Sequence, residues 1–170
     1  MRSGVRLGVD VGTVRVGLAV SDPEGRLASP VGTLSRDVRG GSDLTQIAEH
    51  ARQRQVLEVV VGLPKSLSGG EGVAAEQARD YARALHQALN GVDVRLWDER
   101  LTTVDATRHL RTSGVAARRR RDTVDQAAAV LILQAAMDAE RSTGSPGGEV
   151  VGRRKPRRRA ASDRQQGRQS

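Results

Sequence analysis

Apolar and polar positions alternate in three short runs at the start of the chain, over residues 5–11, 15–21 and 27–34. Residues typical of turns separate the runs: Gly12-Thr13 after the first, and Pro23-Glu24-Gly25 after the second. Such alternation, with this spacing, is typical of short β-strands joined by tight turns. The pattern therefore predicts an antiparallel meander of three strands.

The periodicity changes after this meander. Apolar residues recur at helical spacing, and the helical stretches alternate with two short apolar runs that are typical of buried strands. The predicted order is a helix that begins at Ser42 or Asp43 and includes Ala51, strand 56–61, helix 73–89, strand 92–97, helix 103–111 and a last helix from Asp122 to about Arg141. This order predicts an α/β fold with one mixed five-stranded sheet and helices on both faces.

Composition narrows the chemistry that the chain could perform. Its 170 residues include no Cys, no Phe, one Trp and one Tyr. The missing thiols exclude disulfides, cysteine-ligated zinc, iron–sulfur clusters and a Cys nucleophile. Two aromatic residues are too few for a platform that stacks nucleic-acid bases.

The positive charge is concentrated in one segment. The net charge is +8, and residues 143–170 hold eight basic and two acidic residues, so this segment supplies +6 of it. The segment lacks an apolar period and is rich in Gly, Ser, Gln and Arg. We therefore predict a folded domain over residues 1–142 and a disordered basic tail over residues 143–170, either a solvated tail or a weak polyanion-binding arm. Charged residues interrupt every apolar run, which predicts no membrane span and a cytoplasmic protein.

Carboxylates stand where apolar elements end or begin. Asp10 lies near the end of the first strand, Asp98 and Glu99 follow the strand that ends at Trp97, and Asp125 lies in the first turn of the apolar last helix. If the two strands are neighbours, Asp10, Glu99 and Asp125 could meet at one edge of the sheet. Three such acids would repel one another without a cation, and Mg²⁺ or Mn²⁺ prefers oxygen ligands of this kind. Two such ions about 3.5–4 Å apart can activate water for phosphodiester cleavage.

Each carboxylate also has a structural explanation. Asp125 could stabilise the start of its helix through the helix dipole, Asp10 could end a strand before a turn, and Glu99 could pair with Arg100 or another surface cation. Spacing along the chain leaves these alternatives open.

Four segments together resemble the YqgF/RuvX family. They are residues 8–22 (GVDVGTVRVGLAVSD), 60–64 (VVGLP, followed by Gly69), 98–103 (DERLTT) and 125–134 (DQAAAVLILQ). The resemblance implies an RNase H-like fold similar to that of Holliday-junction resolvases, and a nuclease that trims the 5′ end of precursor 16S rRNA. It implies that Asp10, Glu99 and Asp125 are the catalytic, metal-binding residues, with Mg²⁺ or Mn²⁺ as cofactor.

Several cations stand near these acids in the sequence. Arg15, Lys65 and Arg100, together with the run Arg118, Arg119, Arg120 and Arg121, are candidates for contact with nucleic-acid phosphates. The loop from Lys65 to Gly70 could present backbone N–H groups to a phosphate or could be a plain linker. Pairing with the neighbouring acids, or simple solvation, is the alternative role of these cations.

Three classes of function remain open. The first is a metal-dependent endonuclease that acts on structured pre-rRNA, as a monomer or homodimer. The second is a resolvase of branched DNA with the same chemistry, and the third is a non-catalytic nucleic-acid-binding protein in ribosome assembly. Sugar kinases and actin-like ATPases share a motif like Asp10-Val11-Gly12-Thr13, but they need two domains, for which the chain is too short.

Overall fold

The computed structural model describes residues 1–102 and 117–152. In these ranges the chain forms a six-stranded sheet and three α-helices. The strands are β1 (Arg6–Val11), β2 (Arg15–Ser21), β3 (Ala28–Ser35), β4 (Glu58–Leu63), β5 (Asp93–Asp98) and β6 (Glu149–Val150). The helices are α1 (Ser42–Gln53), α2 (Val73–Ala88) and α3 (Ala117–Thr143). The predicted helix over residues 103–111 lies outside the described residues.

The sheet has the order β3-β2-β1-β4-β5-β6. The first three strands pair antiparallel, which confirms the predicted meander, and β4 and β5 run parallel to β1. The α/β class and the mixed sheet are confirmed. The predicted number of five strands is wrong, because β6 adds an antiparallel sixth strand beside β5.

Alternate side chains along the strands enter two separate cores. Leu7 and Val9 of β1 pack with α1 and α2 on one face, in a core that includes Ile47 and Leu85. On the other face, Val60 and Trp97 pack with the apolar residues of α3. Because side chains alternate along a strand, Gly8 and Asp10 lie on the α3 face. Helices therefore cover both faces, as predicted.

Helix α3 begins five residues earlier than predicted. We expected a basic loop over residues 115–121 and a helix from Asp122, whereas the helix already includes Ala117. Arginine has a high helix propensity, so the arginine run continues the helix without contributing to its apolar pattern. Within the described residues, neither α3 nor another helix is long and apolar enough to cross a membrane.

The chain returns to the sheet after α3. Leu96 lies opposite Glu149, and the N–H of buried Val151 donates to the carbonyl of Val94 at 2.9 Å. Gly147 packs against the Trp97 ring, where a Cβ would lie 2.8 Å from a ring carbon. The predicted tail boundary is therefore wrong for residues 149–151, which belong to the folded domain, and residues 153–170 lie outside the described residues.

A buried ion cluster joins α3 to the amino-terminal ends of the parallel strands. Arg6, Glu58 and Glu140 are each at most 3% exposed. Glu140 accepts hydrogen bonds from Arg2 at 2.9 Å and from Arg6 at 3.2 Å, and Glu58 accepts one from Arg95 at 2.9 Å. Burial alone would raise the pKa of Glu140, but the bonds from Arg2 and the charges of both arginines lower it to about 2. The cluster thus stays ionised at neutral pH.

Glu140→Gln is expected to lower the free energy of unfolding by about 2 kcal/mol at pH 7, because it leaves Glu58 as the one remaining counter-charge of Arg2 and Arg6 among the described residues. The pKa of Glu140 rises from about 2 in the folded state to its ordinary value of 4.5 on unfolding. The wild type therefore holds this stability above about pH 5 and loses it as the pH falls towards 2. Urea unfolding across this range measures the difference. Glu49→Gln, which removes an exposed carboxylate on α1, should change little at any pH, and equal effects of the two variants would contradict the prediction.

Candidate active site

The carboxyl ends of β1, β4 and β5 lie side by side at one edge of the sheet. Asp10 is the next-to-last residue of β1, and Glu99 directly follows β5. The central strand β4 separates them, with Val61 opposite Val9 and Gly62 opposite Trp97. The condition of the prediction, that the two strands are neighbours, is therefore not met: β4 lies between them, although both strands end at the same edge of the sheet.

Gly62 provides the space in which the Glu99 side chain lies. A Cβ on Gly62 would stand 2.5 Å from Oε1 of Glu99 and 2.5 Å from the side chain of Ile132. The Glu99 carboxylate therefore lies above β4 on the α3 face, which is also the face of Asp10. A larger residue in β4 would exclude Glu99 from this position.

A second glycine brings Asp125 to the same edge. Gly17 of β2 lies opposite Asp10 in the sheet. A Cβ on Gly17 would come well under 3.0 Å from the backbone carbonyl oxygen of Asp125. The start of α3 thus lies directly on the sheet at this glycine, with Asp125 beside the strand pair that holds Asp10.

The three carboxylates interact electrostatically. Burial raises the pKa of Asp10 to about 7, and the negative charges of Glu99 and Asp125 add to the shift. Burial, followed by the charge of Asp98, also raises the pKa of Glu99. Without a cation, the carboxyl of Asp10 is thus held near its point of half-protonation at neutral pH, and a cation at this edge would favour its ionised form.

The chemistry of these side chains fits a hard divalent cation, since all of their ligand atoms are carboxylate oxygens. The three carboxylates are not yet arranged as in a formed metal site. Within residues 1–102 and 117–152, no three His, Cys, Asp or Glu side chains are grouped closely enough to hold one metal ion. Asp125 instead accepts a hydrogen bond from Nε of Arg15 at 3.0 Å. A bound ion would compete with Arg15 for this oxygen of Asp125.

The cations predicted to contact phosphate are paired with acids. Arg15 also lies 3.7 Å from Asp122, and Arg100 donates twice to Asp98, at 3.0 and 2.6 Å. The Lys65 Nζ lies 3.9 Å from Asp98. Arg100 also lowers the pKa of Asp98 through its hydrogen bonds. Arg100 therefore binds Asp98 rather than Glu99, so the predicted alternative in which Glu99 pairs with Arg100 is wrong.

The loop after β4 is an ordered turn. The N–H of Gly69 donates to the carbonyl of Ser66 at 2.8 Å, and the N–H of Gly70 donates to the Ser66 hydroxyl at 3.0 Å. Gly69 has φ +87°, and a Cβ there would lie 3.2 Å from the Arg100 guanidinium. These two N–H groups are thus engaged within the loop. The loop contributes the Lys65 side chain to this edge of the sheet, and its Gly69 lies beside the Arg100 guanidinium.

Three residues important to this edge were missed from the sequence. Gly17 and Gly62 permit close approaches, and a glycine inside an apolar strand is the signal that could have indicated them. Arg36, at the end of β3, donates to the carbonyl of Gly12 at 2.9 Å, in the turn that follows Asp10. The side chains of Arg118, Arg119, Arg120 and Arg121 lie outside what the structure describes, although the backbone at these residues is helical.

Comparison with known proteins gives consistent results. Residues 4–139 match the family model described as "RuvX: Holliday junction resolvase". A protein of Kineococcus radiotolerans named "Putative pre-16S rRNA nuclease" is 54% identical over 162 residues, which cover 94% of this chain and 86% of that protein. A Streptomyces coelicolor protein of the same name is 50% identical over 89% of this chain and 90% of its own length.

Solved structures show the same fold at low sequence identity. Thermus thermophilus RuvC in complex with a Holliday junction superposes with a TM-score of 0.56 at 14% identity, over 84% of this chain and 98% of that one. A second structure of Thermus thermophilus RuvC gives a TM-score of 0.53 at 17% identity, over 85% and 99%. At such identities the likeness shows the RuvC-like RNase H fold alone.

Proposed function

The chain belongs to the RuvX family, and from this premise we propose that it is a metal-dependent endonuclease that processes the 5′ end of precursor 16S rRNA. The observation that supports the proposal most is the electrostatic influence of Glu99 and Asp125 on the buried carboxyl of Asp10. Relatives that align with 94% and 89% of this chain are named putative pre-16S rRNA nucleases.

The three carboxylates are proposed as the metal ligands. Asp10 stands between the other two along the sheet and would be shared, while Glu99 and Asp125 would bind from either side. Mg²⁺ or Mn²⁺ held there would polarise the scissile phosphate and activate water for its hydrolysis. The raised pKa of Asp10 supports this assignment, because carboxyls with strongly perturbed pKa values are enriched at functional sites.

The cations of this edge would bind the RNA backbone. Arg15 flanks Asp125, and Lys65 and Arg100 flank Glu99, so each could hold a phosphate next to the proposed metal site. The run Arg118 to Arg121 precedes Asp125 by one turn of α3. It would bind further phosphates along the RNA strand. With only two aromatic residues in the chain, recognition would depend on backbone shape and charge. We propose that this takes place in the cytoplasm, by a monomer or a homodimer.

A resolvase of branched DNA is the second candidate. The description of the matching family names a Holliday-junction resolvase, and the RuvC neighbour was solved on such a junction. The chemistry of hydrolysis would be the same, and the difference lies in the substrate. Symmetric cuts across a junction would require two paired sites, and thus a dimer.

A competition assay separates these candidates. The full chain is incubated with a labelled precursor 16S rRNA fragment and a labelled four-way DNA junction, in Mg²⁺, in Mn²⁺ and in EDTA. We expect cleavage of the RNA at its 5′ region with either ion and none in EDTA. Preferential, symmetric cutting of the junction would favour the resolvase. Binding without cleavage of either substrate under all conditions would contradict an enzyme and favour an assembly protein.

A further inference from the structure

Arg15 forms an ion pair with Asp125, which is one of the three proposed metal ligands. Its Nε lies 3.0 Å from Oδ2 of Asp125 and 3.7 Å from Oδ1 of Asp122. The other described cations at this edge, Lys65 and Arg100, pair with Asp98 and Glu71, which are not proposed ligands. Among the described residues, Arg15 is therefore the cation that would compete with a metal ion for an oxygen of Asp125.

The position of Arg15 is fixed by the sheet. Arg15 and Gly17 lie on the same face of β2, and the close approach at Gly17 holds the Asp125 backbone beside them. The ion pair therefore joins two rigid elements, and its formation requires no loop to move. Its release requires only a rotation of the two side chains.

The pair is also accessible from solvent. The side chains of Arg15 and Asp125 are 29% and 26% exposed, and Val14 in the adjoining turn is 66% exposed. A nucleic-acid phosphate can thus reach the guanidinium from outside. Arginine binds phosphate through its planar guanidinium at least as well as it binds carboxylate, so an exchange of partners is chemically reasonable.

We propose that Arg15 is a displaceable counter-ion that couples metal binding to nucleic-acid binding, an inference that rests on the proposed function. In the free protein Arg15 holds the Asp125 carboxylate. A backbone phosphate takes Arg15 when nucleic acid binds, and Asp125 then turns to the metal ion. Metal and nucleic acid consequently increase each other's affinity, as the reciprocity of linked binding requires.

The test measures Mn²⁺ binding rather than cleavage. Free Mn²⁺ is followed by its electron paramagnetic resonance signal, with and without an uncleavable 2′-O-methyl phosphorothioate RNA duplex, after subtraction of binding to the duplex alone. We expect the duplex to tighten Mn²⁺ binding to the wild type about three- to tenfold, corresponding to the loss of one half-buried ion pair. Arg15→Gln should reach the tighter affinity without the duplex and gain little from it.

Two further variants distinguish the exchange from general effects of charge or packing. Arg52→Gln removes the same charge from an exposed pair on α1, on the opposite face of the sheet, and should behave as the wild type. Arg15→Lys keeps the charge and should keep the coupling, because the observed contacts run through a single nitrogen atom.

Three results would count against the idea. If the duplex tightens Mn²⁺ binding equally in the wild type and in Arg15→Gln, or if Arg15→Lys behaves like Arg15→Gln, the counter-ion role is overturned while the proposed function stands. If the wild type and all variants fail to bind Mn²⁺ with or without the duplex, the proposed metal-dependent function itself is contradicted.

Discussion

Asp10→Asn is expected to lower the rate of metal-dependent cleavage about 1,000-fold or more, and at the same time to stabilise the metal-free protein at neutral pH. The first effect follows because an amide in the middle of the site replaces the carboxylate that we propose to be shared by the metal ions. The second follows because the variant removes a buried charge that two other carboxylates repel.

The stability difference should depend on pH with a definite sign. The pKa of Asp10 is about 7 in the folded state and 3.8 when unperturbed. Between these values the folded protein binds the additional proton, so the wild type loses stability as the pH rises from about 4 to about 7, by up to about 4 kcal/mol. The Asp10→Asn variant has no titrating group at this position, so it should not lose this stability as the pH rises. The gap between variant and wild type should therefore open over this range and stay constant above it.

Both effects can be measured on the same preparations. Urea unfolding in EDTA at several pH values gives the stability difference, and cleavage of the precursor rRNA fragment in Mg²⁺ gives the rate. Asp138→Asn is a suitable control, because it removes an exposed carboxylate near the other end of α3. Full activity of Asp10→Asn would contradict the proposed mechanism. An inactive variant with no gain in stability would contradict only the electrostatic description of the site.

The sequence predicted the elements of this fold well where a single periodicity dominates. The meander, β4 and β5 could be predicted because alternation and short apolar runs are local properties of the chain. The two-residue strand β6 could not, since two residues show no period and Val151 is buried only because β5 and the core on the α1 and α2 face are there for it to pack against. The early start of α3 could not be predicted either, because a run of arginines shows no apolar period although arginine favours a helix.

The same distinction between local sequence pattern and tertiary packing applies to the candidate site. The position of Asp10, Glu99 and Asp125 at element ends is visible in the sequence, and their assignment as ligands came from the family resemblance. The partners of the neighbouring cations depend on which side chains the tertiary structure brings within reach. Asp98 and Glu99 are adjacent in the chain, yet one binds Arg100 and the other lies over Gly62. Only the packed structure separates their roles.

Gly17→Ala is expected to lower the free energy of unfolding by about 3 kcal/mol and the cleavage rate about 100-fold. A single methyl group would meet the backbone carbonyl oxygen of Asp125 well under 3.0 Å away, and backbone cannot yield as the end of a side chain can. The start of α3 must then move away from the sheet. A displacement of about 1 Å at a catalytic group is enough for a loss of this size.

The other glycines of the sheet provide matched comparisons for this prediction. Gly32 of the neighbouring strand β3 has no atom within 4 Å of its hypothetical Cβ, so Gly32→Ala should leave both stability and activity unchanged. Gly62→Ala meets the ends of the Glu99 and Ile132 side chains, which can rotate, so it should reduce activity more than stability. Urea unfolding and cleavage assays on the three variants test this order. If Gly17→Ala were as stable as Gly32→Ala, α3 would not depend on this contact, and the position of Asp125 would need another explanation.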